Sequence, residues 1–591
     1  MKLNGKKGEN NHTVQHELYI TGGIILLFVT IHFFNAFFNL ELKFYDFMLR
    51  IKPDTPQNPA VLFVNIDDLA LERLGAWPWS RDIIADALIR MRELGAAKAV
   101  FDIEYLSPSR LGINPEAAEN LPQEFGALKD DLAQQINELT GAVGRGMLPP
   151  EYLPEAGEEL VSYMDPLFDG LYDTVVSGLF RDNDRYFGEA IRFFGNAYLT
   201  INAARVNSSQ DTELEAFAAE KFMLHPGDVS DPQGNIAAET VSFYRSQNMT
   251  AGITPAIYPV LEHARGAGFT NVILDGDGTL RRIGLLYEYQ GNYVCQLVLS
   301  PLLDLLDTRS ISRSGSRLTI RDALFPGESE RRDISIPLDR DGTMYINWTR
   351  AQFDSSFRQE SLYFLYYIDE VERNLLSAIR SLSSVRVRGN DGLHLSYFRA
   401  AEYLLASYDE LGRRKARLLD GTDTDFNGYF AARKQFFEEV PFLLKPEMEE
   451  EALSRLTELS SLPEAATAAE HIGNAFNVIR SEYDLYRETF AELLSAYGGS
   501  FCILGNSATA TTDLGTTPFH GSYPNVATHA NVFNTIFLGE FIIPVSSWAG
   551  FAVAAALALI WTALGRRRAI LFRNVSGGCG VLFFPLLFFS L

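Results

Sequence analysis

Cysteine and positive charge are both scarce in this chain. Three cysteines in 591 residues are too few for a disulfide framework, and none stands at a zinc-binding spacing. Cys295 and Cys502 sit in apolar, strand-like runs and Cys579 in an apolar segment near the end. Lysine and arginine number 51 against 75 aspartate and glutamate, a formal net charge of −24. A nucleic-acid partner requires basic patches to neutralise phosphates, so that class is excluded. A soluble, acidic surface is the plain reading of the charge. The common catalytic fingerprints are missing too: there is no GxxxxGKS/T, no GxGxxG between strand and helix, no GxSxG and no HExxH. No cyclase or kinase motif occurs, so no catalytic residue is assigned and no cofactor is called for.

What is present is organised around residues 61–105. Residues 61–66 are apolar and β-branched and stop at Asp67-Asp68, the pattern of a strand buried on both faces. Trp77-Pro78-Trp79 makes a stiff turn, since proline fixes its own φ and pushes the preceding residue into an extended conformation. Ser80 is placed as an N-cap with Asp82 in the first turn, and Ile84, Ala87, Leu88 and Met91 share one helical face up to Gly95. Residues 98–103 form a second strand. Strand, helix and strand make a βαβ crossover, the seed of a mainly parallel sheet.

Before this unit, residues 1–17 form a polar tail with Lys2, Lys6 and Lys7, and residues 18–40 are long and apolar enough to span a bilayer. No cleavage signature follows, so the span reads as an uncleaved anchor. Residues 41–50 continue it as a helix. After it, residues 107–178 read as an insertion of short helical stretches broken by prolines. Residues 182–195 and 197–201 repeat the helix-strand pattern, 268–282 and 336–348 read as hairpins with Asp-Gly turns, and 295–306 as an apolar helix. Residues 361–497 break the rhythm with long helices at 370–382, 396–419, 431–442 and 464–496. They read as a helical insertion whose removal should leave the sheet folded. It is either an arm projecting from the sheet or a set of helices packed on their own domain, and the unsustained heptads favour the second.

The core returns with a strand at 501–504, a small polar loop at 505–512 and a helix at 524–537 opened by Pro524. Residues 542–564 form another span, followed at once by Arg566, Arg567 and Arg568 in a loop at 565–574, and 575–591 are apolar again. The arginines and the N-terminal lysines put both ends in the cytoplasm and 41–541 outside.

Three blocks resemble one family, the type-2 CHASE domain, a bacterial extracellular sensory module. The first carries Asp67, Asp68, Gly75, Trp77, Pro78, Trp79, Arg81, Gly95, Ala99, Phe101 and Asp102. The second carries Asn271, Asp275, Asp277, Gly278, Arg281 and Arg282, with Asp46, Leu49 and Arg50 ahead of it. The third carries Gly505, Ser507, Ala508, Asp513, Thr517, Pro518, Pro524, Val526, His529, Ala530 and Asn531. The likeness covers about 41–360 and 499–543 and neither insertion. It implies an extracytoplasmic sensor in a bacterial inner membrane, relaying ligand state to a cytoplasmic adenylate cyclase or kinase that this chain does not contain. A homodimer is expected. The expected fold is an α/β domain with a mainly parallel sheet, flanking helices, a large helical insertion and transmembrane helices at both ends.

The candidate ligand-binding residues are Asp67, Asp68, Asp102, Asp513, Ser507, His529 and Asn531, with Glu104 nearby. Most follow predicted parallel strands, along the edge where open α/β sheets bind ligands. Clustered carboxylates call for a cation or a ligand with amine or hydroxyl groups. The plainer reading is that these aspartates cap helices and hold loops. His529 is by default a packing residue, Asn531 is placed to bond the Gly505 loop, and Trp77, Pro78, Trp79, Arg81 and Gly505 are structural. A rival class is an exported, membrane-tethered hydrolase using the same carboxylates.

Overall fold

Seven strands make the central sheet. They are β1 (Val61–Ile66), β2 (Lys98–Phe101), β3 (Ala197–Ala204), β4 (Gly252–Pro255), β5 (Gly266–Phe269), β6 (Arg358–Ser361) and β7 (Phe501–Asn506). The order is β6-β1-β7-β2-β3, and β3 also pairs with β4 and β5. Every pairing is parallel except β3 with β4. The expected βαβ crossover is present but skips one position, because β7 lies between β1 and β2. The structure is a computed structural model. It describes residues 38–543 apart from 114, 148, 150–151, 174–179, 205–210, 226–228, 231–251, 340, 389–393, 397, 459–462 and 510–512, and adds Gly23 and Ala556. The tail 1–17, the expected spans at 18–40, 542–564 and 575–591, and the loop 565–574 lie almost wholly outside the described residues. Among the described residues no helix is long and apolar enough to cross a membrane.

Alternation along each strand divides the core in two. Leu62, Val64, Phe101, Leu199, Cys502 and Leu504 face one side, whereas Val61, Phe63, Val100, Tyr198, Phe501 and Ile503 face the other. The chain enters through α1 (Phe38–Ile51). The first face is covered by α2 (Arg81–Glu93) through Ile84 and Leu88. A projecting pair, α3 (Pro115–Gly144) and α4 (Leu153–Asp173), follows, and then α5 (Asn183–Phe194) packs Phe187 and Ile191 on the same face. Ser80 holds the N-cap position of α2 without a capping hydrogen bond, since its hydroxyl accepts from Asn183 Nδ2 at 2.6 Å.

The helices of 361–497 are α6 (Tyr363–Ser383), α7 (Arg399–Asp420), α8 (Phe426–Leu443) and α9 (Pro463–Tyr497), with a further helix at Pro446–Glu458. They pack on their own domain. Leu365, Ile368, Leu375, Leu404, Phe436 and Ile479 join the same core cluster as Val64 and Leu504. These helices cover the sheet's first face, the packed arrangement of the two expected for this segment.

The second face is covered by α10 (Ala527–Leu538), a short helix at Leu299–Leu305 and the strands Ile311–Ser314, Arg317–Leu324 and Arg331–Pro337. Three local expectations change here. Cys295 ends a strand rather than opening a helix, Met344–Tyr345 pairs with Arg282–Ile283, and Pro524 belongs to a short strand pair with Leu514–Gly515. In 107–178 the prolines do not keep the helices short: Pro122 and Pro166 stand inside α3 and α4.

Candidate functional site

Asp102 follows β2 directly, and strand alternation turns it with Val100 toward the face that carries α10. Its backbone N–H donates to Leu504 of β7 at 2.8 Å. Beside it lies Gly505. A Cβ there would stand 2.5 Å from Val526 Cγ2 and 3.6 Å from Asp102 Cβ, so only glycine lets the segment before α10 come this close to the sheet edge. That approach delivers His529, on the first turn of α10, to Asp102. His529 Nε2 and Asp102 Oδ1 are 3.3 Å apart, with side-chain exposures of 3% and 14%.

The histidine tautomer follows from its other neighbour. Gln296 Oε1 accepts the Val298 N–H at 2.8 Å, so the Gln296 amide nitrogen is the end that meets His529 Nδ1 at 2.9 Å. Nδ1 then accepts, which leaves the proton of the neutral ring on Nε2, the nitrogen nearer Asp102. Asp513 stands within the field of both. Burial raises its carboxyl above the ordinary range, the hydrogen bond from Asn525 Nδ2 at 2.8 Å opposes this, Asp102 raises it and His529 lowers it. Glu104 is also raised, by partial burial and by Asp102, against a 2.8 Å bond from Asn202 Nδ2. One histidine and three carboxylates therefore share the end of β2. Gln296, Asn525 and Asn202 complete the group. Nothing in their local sequence marks them, because the contacts that recruit them are long-range.

Asp67 and Asp68 form a separate group. Asp67 Oδ1 accepts the Ala70 N–H at 2.8 Å, capping the helix Asp68–Leu74, and the Ser361 hydroxyl of β6 at 2.7 Å. Asp68 accepts the N–H and hydroxyl of Thr509 at 3.0 and 2.9 Å. Ser507 donates its N–H to Ile66 O at 3.1 Å. Since β7 separates β1 from β2, the ends of those strands stand two strand spacings apart, about 10 Å. Asp102, Asp513 and His529 are thus brought together, and Asp67 and Asp68 are not brought to them. Asn531 is fully buried and bonds elsewhere: its Oδ1 accepts the Thr349 N–H at 3.0 Å and its Nδ2 donates to Ala527 O at 2.8 Å. Its expected bond to the Gly505 loop is replaced by this tie between α10 and Thr349.

Trp77 and Trp79 meet edge to face at 5.4 Å, and Trp79 Nε1 donates to Gly75 O at 2.7 Å. Both pack on the core rather than offering a stacking platform. The buried Arg81 pairs with Asp184 and donates to Ser107 O. The blocks at 46–50 and 271–282 also meet. Arg281, fully buried, grips Asp46 of α1 through two 2.8 Å bonds and also pairs with Asp275 at 3.0 Å and Asp277 at 2.8 Å. Among the described residues no group of three or more His, Cys, Asp or Glu side chains is placed to hold a metal ion. Among the described residues the polar neighbours of the His529 ring nitrogens are Gln296 and Asp102, and neither is a hydroxyl nucleophile.

A family model described as the CHASE2 domain matches residues 24–381. The match runs from the expected first span through both blocks just described and ends within α6, before β7 and the His529 segment. No curated protein and no solved structure matches the chain.

Proposed function

The chain belongs to the CHASE2 domain family, and from that premise we infer that it is the sensor of a membrane-anchored signalling protein, held at both ends and relaying occupancy of a ligand site at Asp102 and His529. The family supplies the general role, an extracytoplasmic sensory module and not a catalyst. Anchoring at both ends is carried by where the chain enters and leaves. Lys52, just past α1, and Glu540, just past α10, lie 3.9 Å apart, and Asn347 binds both, accepting from Lys52 Nζ at 2.9 Å and donating to Glu540 O at 3.0 Å. Two spans attached there would enter a bilayer from one corner of the domain. A relative shift of the two spans then acts directly on α10, which carries His529.

Topology is tested on intact cells with a membrane-impermeant thiol reagent. Cys295 and Cys502 are buried, so with Cys579→Ser the background is low. Tyr403→Cys, at an exposed position, should label, and Arg567→Cys should label only after lysis. Labelling of 567 on intact cells would sink the anchored-sensor reading.

For this site, the ligand chemistry is an amine or hydroxyl group meeting Asp102 and Asp513. A thermal-shift screen of small amines and polyols should find compounds that raise the melting temperature, since binding to the native state alone stabilises it. Asp102→Asn should erase that shift while melting normally without ligand. A shift that survives Asp102→Asn places the ligand elsewhere, and an Asp102→Asn protein that does not fold makes the aspartate structural.

A further inference from the structure

The hairpin α3–α4 is the part of the molecule that the sensing role does not use. Among its residues whose side chains are described, none is buried. Its helices pack on each other, and a helical pair with no buried residue among those whose side chains are described has little of the tertiary packing that stabilises helices in water. Yet each helix carries an exposed apolar row. On α3, Phe125, Ile136 and Val143 are spaced by eleven and seven residues, which returns to one face of a helix. On α4, Val161, Phe168 and Tyr172 do the same at seven and four. These rows are accompanied by unusual charge. Between 115 and 173 there are thirteen acidic residues and two basic ones, Lys129 and Arg145, so this segment holds nearly half of the net charge of −24.

We propose that α3–α4 is the docking surface for a cationic amphipathic helix of a second protein, whose apolar face covers the two rows while its lysines and arginines are drawn by the carboxylates of the pair. The charge selects this occupant. In helical pairings the apolar seam supplies affinity and the flanking charges choose the partner, and like-charged flanks disfavour pairing with an identical copy. A second copy of this hairpin would bring thirteen more carboxylates with almost no cations to pair them. An anionic bilayer surface is repelled in the same way.

The test uses the full chain and a labelled synthetic helix of about 21 residues, with leucine at the a and d positions and lysine at the flanks, followed by fluorescence anisotropy. The expected result is saturable binding that weakens with salt, as screened charges require. A matched peptide with glutamate flanks should not bind. Ile136→Ser/Val143→Ser/Val161→Ser/Phe168→Ser should weaken binding by about tenfold or more, the scale of losing a little over 1.4 kcal/mol, with an unchanged melting curve. A second variant, Glu155→Gln/Glu158→Gln/Glu159→Gln, should flatten the salt dependence and keep the apolar rows intact. Equal binding by the serine variant would reduce the effect to bulk charge and overturn the proposal. Absence of binding would overturn it as well. Concentration-dependent dimerisation lost in the serine variant would assign the surface to a second copy, and pelleting with anionic vesicles would assign it to a membrane.

Discussion

The domain carries two helical segments that the α/β rhythm of the chain does not call for, and they are built on opposite principles. The hairpin α3–α4 stands out from the sheet with its apolar rows exposed. The helices α6 to α9 are drawn into the core and fastened there by buried charge. Glu372 of α6 pairs with Arg433 of α8 at 2.5 Å and with Arg90 of α2 at 3.2 Å, and accepts from Tyr408 of α7 at 2.7 Å. Glu93 of α2 pairs with Arg90 at 2.6 Å and accepts from Tyr429 of α8 at 2.6 Å. Four helices meet at two carboxylates and two guanidinium groups, all shut off from water. Two additions of similar helical content thus serve unlike ends: one finishes the core, and the other offers a surface.

The largest contrast should come from deletion. Residues 112–113 pair antiparallel with 180–181, so the base of the hairpin is already closed. Replacing 115–173 by a short Gly/Ser linker should leave the cooperative melt nearly where it was, because loop-closure entropy changes slowly with length. Replacing 363–497 in the same way should abolish cooperative melting, since it strips the apolar cover from one sheet face. Calorimetry on both deletions decides the matter. Two similar melts would mean that the second segment is as separable as the first.

A smaller and sharper effect is expected from Glu372→Ala, which strands Arg433 and Arg90 in the interior. Removing one partner of a buried pair costs about 3–5 kcal/mol, against changes within about 0.5 kcal/mol for exposed hairpin positions such as Val161→Ser. Urea unfolding at neutral pH measures both. The same pair predicts a pH response. Burial raises the Glu372 carboxyl, but Arg433 and Arg90 outweigh it and hold the group down at about 2, and the same two arginines with Lys415 hold Glu93 well below its usual range. Carboxylates lowered by folding stabilise the native state above their ordinary pKa and lose that contribution as pH falls through the folded value. Stability should therefore drop from about pH 4.5 toward pH 2, and less steeply in Glu372→Ala. An unchanged slope in the variant would remove this cluster from the acid response.

The sequence carried most of the fold and half of the site. The strands at 61–66, 98–101 and 501–506 were legible because each holds a short apolar run, 61–64, 99–101 and 501–504, and α6 to α9 because apolar residues recur at helical spacing. The strand order was not, since nothing local to 501–506 says that it enters between β1 and β2. The same ignorance of order produced the expected union of Asp67 with Asp102. Asp102, His529 and Asp513 stood out as polar residues at strand and helix ends, whereas Gln296 reaches them only through tertiary packing. Proline misled at 107–178: read as a breaker, it stands inside α3 and α4.

The place of β7 has a temporal consequence. The sheet's middle strand is the last of its seven to be synthesised, and β1 and β2, which flank it, do not touch each other in register. Until residue 506 exists, the two halves of the sheet have no common seam, and the nascent chain holds two unpaired inner edges apart. Parallel pairings over such sequence separations are slow to form, because closure entropy is lost before the contacts reward it. A chain that delays its own closure in this way keeps the two halves of its sheet separable until β7 has been made.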